Sequence, residues 1–263
     1  MDYAGKVIWI TGASSGIGEA LAHEFSSKGA QLVLSARNES KLEEVQNTCP
    51  NPAAHMVLPL DLNEADALKD TSTTVLNRFG KVDILVNNSG VSQRSIAAQT
   101  GMDVDRAIME TNFFGTIGLT KALLPSMINR KSGHIVVISS VAGKLGTPLR
   151  SSYCASKHAL HGFFDSLRAE AWRQGIRVTL VCPGFIRTNI SINALTESGT
   201  PQGTMDNAQA NGMPAHVCAK KIVKAVEKNK SEVYIGGKEI LGIYLKRFIP
   251  GLFNIIIKRA KVT

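Results

Sequence analysis

The segment "SSYCASKHAL", residues 151–160, sets Tyr153 and Lys157 four positions apart among small side chains. On a helix that spacing puts both residues on one face. A lysine ammonium held there would favour the phenolate and bring a hydroxyl with an ordinary pKa of about 10 into a range useful for proton transfer. The same spacing describes any two neighbours on a helix, so its meaning depends on what else the chain brings to the pair. A second candidate for chemistry is "TGASSGIG" at 11–18, where Gly12, Gly16 and Gly18 form G-x-x-x-G-x-G. Residues without side chains permit a tight turn and a close backbone approach to a pyrophosphate, and the following helix offers its N–H groups. The spacing differs from the commoner G-x-G-x-x-G, and the run lacks the Gly-Lys-Ser/Thr ending of a P-loop.

These residues need a scaffold that holds them together, and the hydrophobic pattern supplies one. Apolar runs at 6–10, 31–36, 53–62, 82–90, 133–140, 176–184 and 231–237 read as strands. Helical patterns lie between them at 19–30, 41–48, 64–79, 103–129 and 153–173. The strands are continuous apolar runs rather than clean alternations, as expected where helices cover both faces of a sheet. The pattern predicts a single-domain, Rossmann-like, doubly wound α/β fold with a mostly parallel sheet of about seven strands. Its site should lie beyond the carboxyl ends of those strands. The glycine loop falls after the first strand, which favours a dinucleotide over a plain strand-to-helix turn.

The end of the second strand bears on which dinucleotide. An acidic residue there would bind the adenosine ribose hydroxyls and repel a 2′-phosphate. Here the strand runs into Ala36 and Arg37 in "LSARNESK". The arginine fork suits a phosphate, so NADP(H) is expected over NAD(H).

Taken in order, "TGASSGIG", "NNSG", "SYCASK" and "PGFIRT" resemble the classical short-chain dehydrogenase/reductase family over nearly the whole chain. The resemblance implies reversible hydride transfer between a nicotinamide cofactor and a carbonyl or alcohol. It implies Tyr153 as general acid in ketone reduction and base in alcohol oxidation, and Lys157 as the group that lowers the tyrosine pKa and binds the nicotinamide ribose. Ser140, thirteen residues before Tyr153, is implied as the residue that orients the substrate oxygen, in preference to Ser139. Asn112 in "ETNFFGT" is similar to a helix asparagine that holds a relay water. The same resemblance assigns cofactor contacts to Gly12, Ser14, Ser15, Gly16, Ile17 and Gly18, to Arg37, and to Asp61 and Leu62 after the third strand. Asn88 and Gly90 belong to "NNSG", where Ser89 stands in place of the family's usual alanine. Pro183, Gly184, Ile186 and Thr188 in "PGFIRT" are assigned to the nicotinamide carboxamide. An intact Asn112, Ser140, Tyr153 and Lys157 set favours an enzyme over a nucleotide-sensing scaffold.

Substrate choice should rest on the loops at 92–98, 143–152 and 189–216, the last rich in small and polar residues. That long loop holds no arginine cluster, and a hydrophobic ketone or secondary alcohol is the expected substrate. Composition narrows the partners. The net charge of +9 is concentrated after residue 219: eleven basic and three acidic residues follow, against nineteen and eighteen before. No zinc-finger spacing or basic stripe with interleaved aromatics accompanies it, so nucleic acid is not expected. The four cysteines show neither metal-ligand spacing nor close pairs, and no secretory leader is read at the start. A reducing cytoplasm is expected, and no metal site. The catalytic domain is placed at 1–238 and a basic, apolar extension at 239–263. Lys246, Arg247, Pro250 and Gly251 interrupt that extension, which reads as two short amphipathic pieces rather than a membrane span. Those pieces either pack on the core or a sister subunit of a homodimer or homotetramer, or lie on a membrane surface.

Overall fold

The computed structural model describes residues 2–260; the last three positions of the predicted extension lie outside it. The first half of the chain alternates β1 (Val7–Thr11), α1 (Gly16–Ser26), β2 (Gln31–Ser35), α2 (Glu39–Thr48), β3 (Met56–Val57), α3 (Ala65–Phe79) and β4 (Ile84–Asn87). A long helical segment follows as α4 (Met102–Met109), a π turn at Glu110–Phe114, and α5 (Gly115–Asn129). Next come β5 (Gly133–Ile138), α6 (Ser151–Ala171), β6 (Ile176–Pro183), β7 (Ile186–Arg187), α7 (Asn207–Ala210), β8 (Met213–Pro214), α8 (Ala215–Glu227) and β9 (Glu232–Ile235). Two short helices, α9 (Leu241–Phe248) and α10 (Pro250–Ile257), close the described chain.

Seven strands form one sheet in the order β3-β2-β1-β4-β5-β6-β9, every pair parallel. The doubly wound reading of the sequence is the observed fold. Its apolar strands alternate between two hydrophobic layers. Ile8, Ile10, Leu32, Leu34 and Val86 face α1 and α8, with Leu21, Phe25, Ile222 and Val226 among their neighbours. Val7, Trp9, Val33, Leu85 and Val137 face the other side, with Val75, Leu123 and Phe164. Both faces are dry, which is why the strands carry no polar alternation.

Register places the site. Thr11 is opposite Ser35, Asn87 opposite Val137, Ile138 opposite Val181, and Pro183 opposite Ile235. The strands therefore end nearly level, and the residues just beyond them meet at one edge. The predicted strand at 53–62 shrinks to Met56–Val57. Pro59 has no N–H to continue a ladder, although the Leu58 and Leu60 amides still reach the Leu34 and Ala36 carbonyls at 3.0 and 3.1 Å.

His134, buried on β5, links this sheet to an acid response. Its Nε2 lies 2.8 Å from the Thr179 hydroxyl, which itself donates to the Lys230 carbonyl at 2.6 Å, so Nε2 carries the proton of the neutral ring. Burial, and then the Arg177 charge, lower the His134 pKa from 6.5 to about 4. Between those values the unfolded chain binds a proton that the folded chain refuses, so stability falls as pH drops through that window. Urea titrations should show a loss of about 3 kcal/mol from this residue alone. His134→Gln, which keeps a donor for Thr179, should flatten the profile; an unchanged profile would assign the acid response to other groups.

Candidate active site

The edge beyond the strand ends holds a cavity of about 680 Å³. The glycine loop forms one end of it, with Gly12, Ser14, Ser15, Gly16 and Ile17 all in its wall. Gly16 has φ +61°, a left-handed conformation, and a Cβ there would stand 2.9 Å from the Thr188 methyl. Glycine is required on both counts. Gly18 does not reach the cavity: it is buried in α1, and a Cβ on it would run into the Gly12 carbonyl. Its absent side chain lets the helix press onto the loop. Among the described residues no side chain caps the start of α1, so its first N–H groups and positive dipole end are free to hold an anion. Asn88 fixes the loop from β4, donating to the Thr11 and Gly12 carbonyls at 3.0 and 3.1 Å. Thr11 Oγ1 in turn accepts from the Asn88 and Ser89 amides at 3.0 and 3.1 Å.

Arg37 is exposed beyond β2 and lines the same cavity. Lys41, one turn into α2, lines it as well. The pattern offered no signal for Lys41, which comes near Arg37 only because Asn38 caps α2, its side chain accepting from the Lys41 amide at 3.0 Å. Asp61, Leu62, Asn88 and Gly90 complete this end.

At the middle of the cavity stand Ser140, Tyr153 and Lys157. Tyr153 and Lys157 share a face of α6, and the Lys157 nitrogen lies 5.8 Å from the tyrosine ring centroid. The ammonium donates to the Ile138 carbonyl at 2.9 Å. Burial pushes the Lys157 pKa down to about 8. Burial also raises the Tyr153 pKa; the Ser140 hydroxyl and the charges of Arg150 and Arg94 oppose it without cancelling it. The phenol is thus held protonated near neutral pH, as a proton donor must be. Ser140 Oγ accepts from the Ala142 amide at 3.1 Å. Ser139 is turned away, its hydroxyl donating to the Lys157 carbonyl at 3.3 Å and lying 3.0 Å from His161 Nε2.

Asn112 stands behind the wall rather than in it. It is fully buried in the π turn, its Oδ1 accepting from the Val91 amide at 2.8 Å and its Nδ2 donating to the Val91 carbonyl and Ser156 Oγ, both at 2.9 Å. The single helix predicted at 103–129 misses this turn, in which the extra residue re-aims one side chain. The helix that carries Tyr153 is held from outside as well. Gln93 Oε1 accepts from the Ser152 and Tyr153 amides at 2.8 and 3.3 Å, doing the work of a cap from a distant loop.

The end of the cavity away from the glycine loop differs most from expectation. Each of the three loops read as specificity loops contributes one member of a buried charge cluster: Arg94, Arg150 and Asp206. Both Arg94 Nε and Nη2 donate to Asp206 Oδ2, the first at 2.8 Å, and Arg150 reaches the same oxygen at 3.4 Å. Burial pushes the Asp206 carboxyl up, but hydrogen bonds from Arg94 and Gln202 and the two arginine charges outweigh it, and its pKa is lowered. The long loop has no arginine cluster of its own; the arginines come to it from its neighbours. Gln209 on α7 pins the loop further, its amide donating to the Ile186 carbonyl and, at 3.3 Å, to Thr188 Oγ1. Pro183, Gly184, Ile186 and Thr188 line the cavity here. The predicted extension forms the remaining wall through Gly242, Leu245, Phe253, Ile256, Ile257 and Ala260. Glu239 fastens it, accepting from the Phe185 and Gly237 amides at 3.0 Å each. Among the described residues no group of three His, Cys, Asp or Glu is arranged to hold a metal ion.

Comparison with known proteins agrees with this geometry. The family model described as "short chain dehydrogenase" matches residues 6–198. A "Dehydrogenase/reductase SDR family protein 7-like" from Drosophila melanogaster is 45% identical, over 97% of this chain and 81% of that one. A "Dehydrogenase/reductase SDR family member 7B" from Bos taurus is 44% identical, over 94% and 78%. Among solved structures, a short-chain dehydrogenase from Streptomyces avermitilis superposes with a TM-score of 0.80 at 29% identity, over 97% of this chain and 94% of that one. A short-chain dehydrogenase/reductase from Burkholderia phymatum, solved in complex with NAD, gives a TM-score of 0.85 at 25% identity, over 96% of each chain.

Proposed function

Because the chain belongs to the short-chain dehydrogenase/reductase family, whose members are nicotinamide-dependent oxidoreductases, we propose that it interconverts a hydrophobic ketone and its secondary alcohol, with NADP(H) preferred over NAD(H). The observation that carries this reading is the convergence of Ser140, Tyr153 and Lys157 on the cavity that the glycine loop opens. The uncapped start of α1 suits the pyrophosphate, and Arg37 with Lys41 suits a 2′-phosphate.

When bound, the nicotinamide supplies the hydride in reduction and accepts it in oxidation. Tyr153 gives its phenolic proton to the carbonyl oxygen as that oxygen gains charge, and takes it back in oxidation. Ser140 orients the oxygen beside the phenol. The Lys157 ammonium, anchored on the Ile138 carbonyl, stabilises the tyrosinate left behind and offers its other donors to the ribose. Asn112 holds the Val91 backbone and Ser156 in place and so braces the loop and helix on which the proton donor sits. A homodimer or homotetramer, and a cytoplasmic home, belong to the same proposal.

Fluorescence titration with both reduced cofactors, followed by turnover on a panel of ketones, tests it. NADPH should bind at least about tenfold tighter than NADH, a difference of about 1.4 kcal/mol. Arg37→Glu should remove that preference, since a charge-assisted contact to phosphate is worth about 1.5–3 kcal/mol. Tighter NADH binding by the unmodified chain would overturn the NADP(H) assignment, and binding of neither would overturn the enzyme reading.

A further inference from the structure

Helices α9 and α10 are apolar on both sides. Inward, Ile243 and Phe253 pack with Val141 and Leu145. Outward, Leu241 (66% exposed), Phe248 (75%) and Ile255 (58%) face solvent, with Tyr244, Ile249, Leu252 and Ile256 beside them. A helix that is hydrophobic all round is normally buried on all sides, and among the described residues only one side is covered. Pro250 begins α10 directly after Ile249, whose φ of −135° and ψ of 62° break the helix between α9 and α10, and the exposed apolar residues of the two helices follow one another along the hairpin.

Charge identifies what covers that face. Lys246, Arg247, Lys258 and Arg259 are interleaved with it, and the sequence has no acidic residue between Ile240 and Ala260. An isologous contact with a second copy would set these positive groups against themselves. An anionic lipid surface answers both features, taking the apolar side chains into its acyl boundary and the basic ones at its headgroups. No helix among the described residues is long and apolar enough to cross a membrane, so the hairpin lies in the interface. The same two helices build the apolar wall of the catalytic cavity. Ile256 lines the cavity and is 49% exposed, and its neighbour Ile255 is 58% exposed and outside the cavity lining, so the cavity wall runs up to the edge of the apolar face.

We propose that the α9–α10 hairpin docks this chain on anionic membranes and opens the cavity toward the bilayer at Ile256, so that the substrate is a lipid-dissolved ketone or alcohol taken from the membrane. The substrate half rests on the oxidoreductase reading above; the docking half does not.

The full-length chain should sediment with vesicles of phosphatidylcholine and phosphatidylserine, much less with phosphatidylcholine alone, and salt should release it. The Phe248→Glu, Ile255→Glu double variant alters neither cavity wall nor core and should bind anionic vesicles at least about tenfold less, as expected when two large apolar anchors are lost. Lys258→Glu with Arg259→Glu, a surface charge reversal, should lose the preference for phosphatidylserine. Turnover of cyclohexanone should be the same in the wild type and the apolar double variant, whereas turnover of a long-chain 2-alkanone carried in the vesicles should fall in step with binding. A wild type that stays in the supernatant with anionic vesicles would overturn docking, as would a double variant that binds equally well. A dimer dissociated by the double variant, without vesicle binding, would assign the face to a second copy instead. Vesicle binding with no turnover of either ketone would leave docking standing and overturn the substrate half together with the oxidoreductase reading.

Discussion

Tyr153→Phe is expected to cut ketone turnover by about a thousandfold while leaving NADPH affinity within about threefold of the wild type. The substitution removes one oxygen and keeps the ring, which is buried at 8% exposure beside Ala142 and Cys154, so the fold should survive. The missing atom is the proton donor of the proposed reaction. A positioned acid contributes about 10²–10⁴ in rate, and a thousandfold loss corresponds to about 4 kcal/mol of transition-state stabilisation. Single-turnover reduction with saturating NADPH reads the chemical step, and fluorescence titration reads binding. Turnover within about tenfold of the wild type would remove Tyr153 from the acid role. The pH profile is a separate check. Burial keeps the phenol protonated in the free chain, so reduction should run well near neutral pH and alcohol oxidation should rise with pH as the phenolate forms. Lys157, with its pKa at about 8, loses its charge above that value. The stabilisation of the phenolate then weakens, so the oxidation limb should level off rather than climb to the ordinary tyrosine range. The same shift has a sign for stability. Since burial lowers the lysine pKa from 10.5, the unfolded chain binds the extra proton between about 8 and that value, and Lys157 should oppose folding less as pH rises through the window.

Asp206→Ala carries the largest expected effect on stability. It removes the one carboxylate shared by Arg94 and Arg150, and the Arg94 and Asp206 side chains are only 4% and 2% exposed. Breaking a buried pair by deleting one partner typically costs about 3–5 kcal/mol, because the remaining charge stays desolvated. For a chain of this size the melting temperature should fall by on the order of 10 °C. The depressed carboxyl pKa gives the matching pH response: this contribution is complete above the ordinary aspartate range and is lost as pH falls through the lowered value. Because the cluster joins the three loops read from the sequence as specificity loops, KM for ketones should rise more than the NADPH dissociation constant. Adding Arg94→Leu should recover part of the lost stability, since it withdraws the Arg94 charge that the deletion leaves buried. A melting point lowered by no more than about 2 °C would show that the cluster does not hold the loops together.

The reach of the sequence can be judged residue by residue. Short apolar runs rich in β-branched residues, such as "KVIWI" and "GHIVVISS", pointed to parallel strands buried on both faces, because their length and their glycine-rich flanks suit strands better than buried helices. The loop glycines and the Tyr153–Lys157 spacing were legible because they are local: a turn needing positive φ, and a shared helix face, are properties of a few consecutive residues. Gly18 and Asn112 were found by motif, but only the packed structure places them behind the cavity wall, one letting α1 close on the Gly12 carbonyl, the other bracing Val91.

What stayed illegible depends on distance along the chain. Arg94 and Asp206 are separated by 112 positions, and Gln93 supplies a cap to amides 59 and 60 positions away. Nothing local distinguishes such residues from polar residues in any loop; their partners are chosen when the sheet brings the loops to one edge. The same holds for the extension. Its composition announced two short amphipathic pieces, whereas only the tertiary packing made one side of them the wall of the cavity and left the other bare. Sequence by itself determined the fold, the glycine turn after β1 and the shared helix face of Tyr153 and Lys157, since short-range sterics and hydrophobic periodicity encode them. Tertiary structure alone decided the buried charge cluster and the apolar wall, since both arise from contacts whose partners lie far apart in the chain.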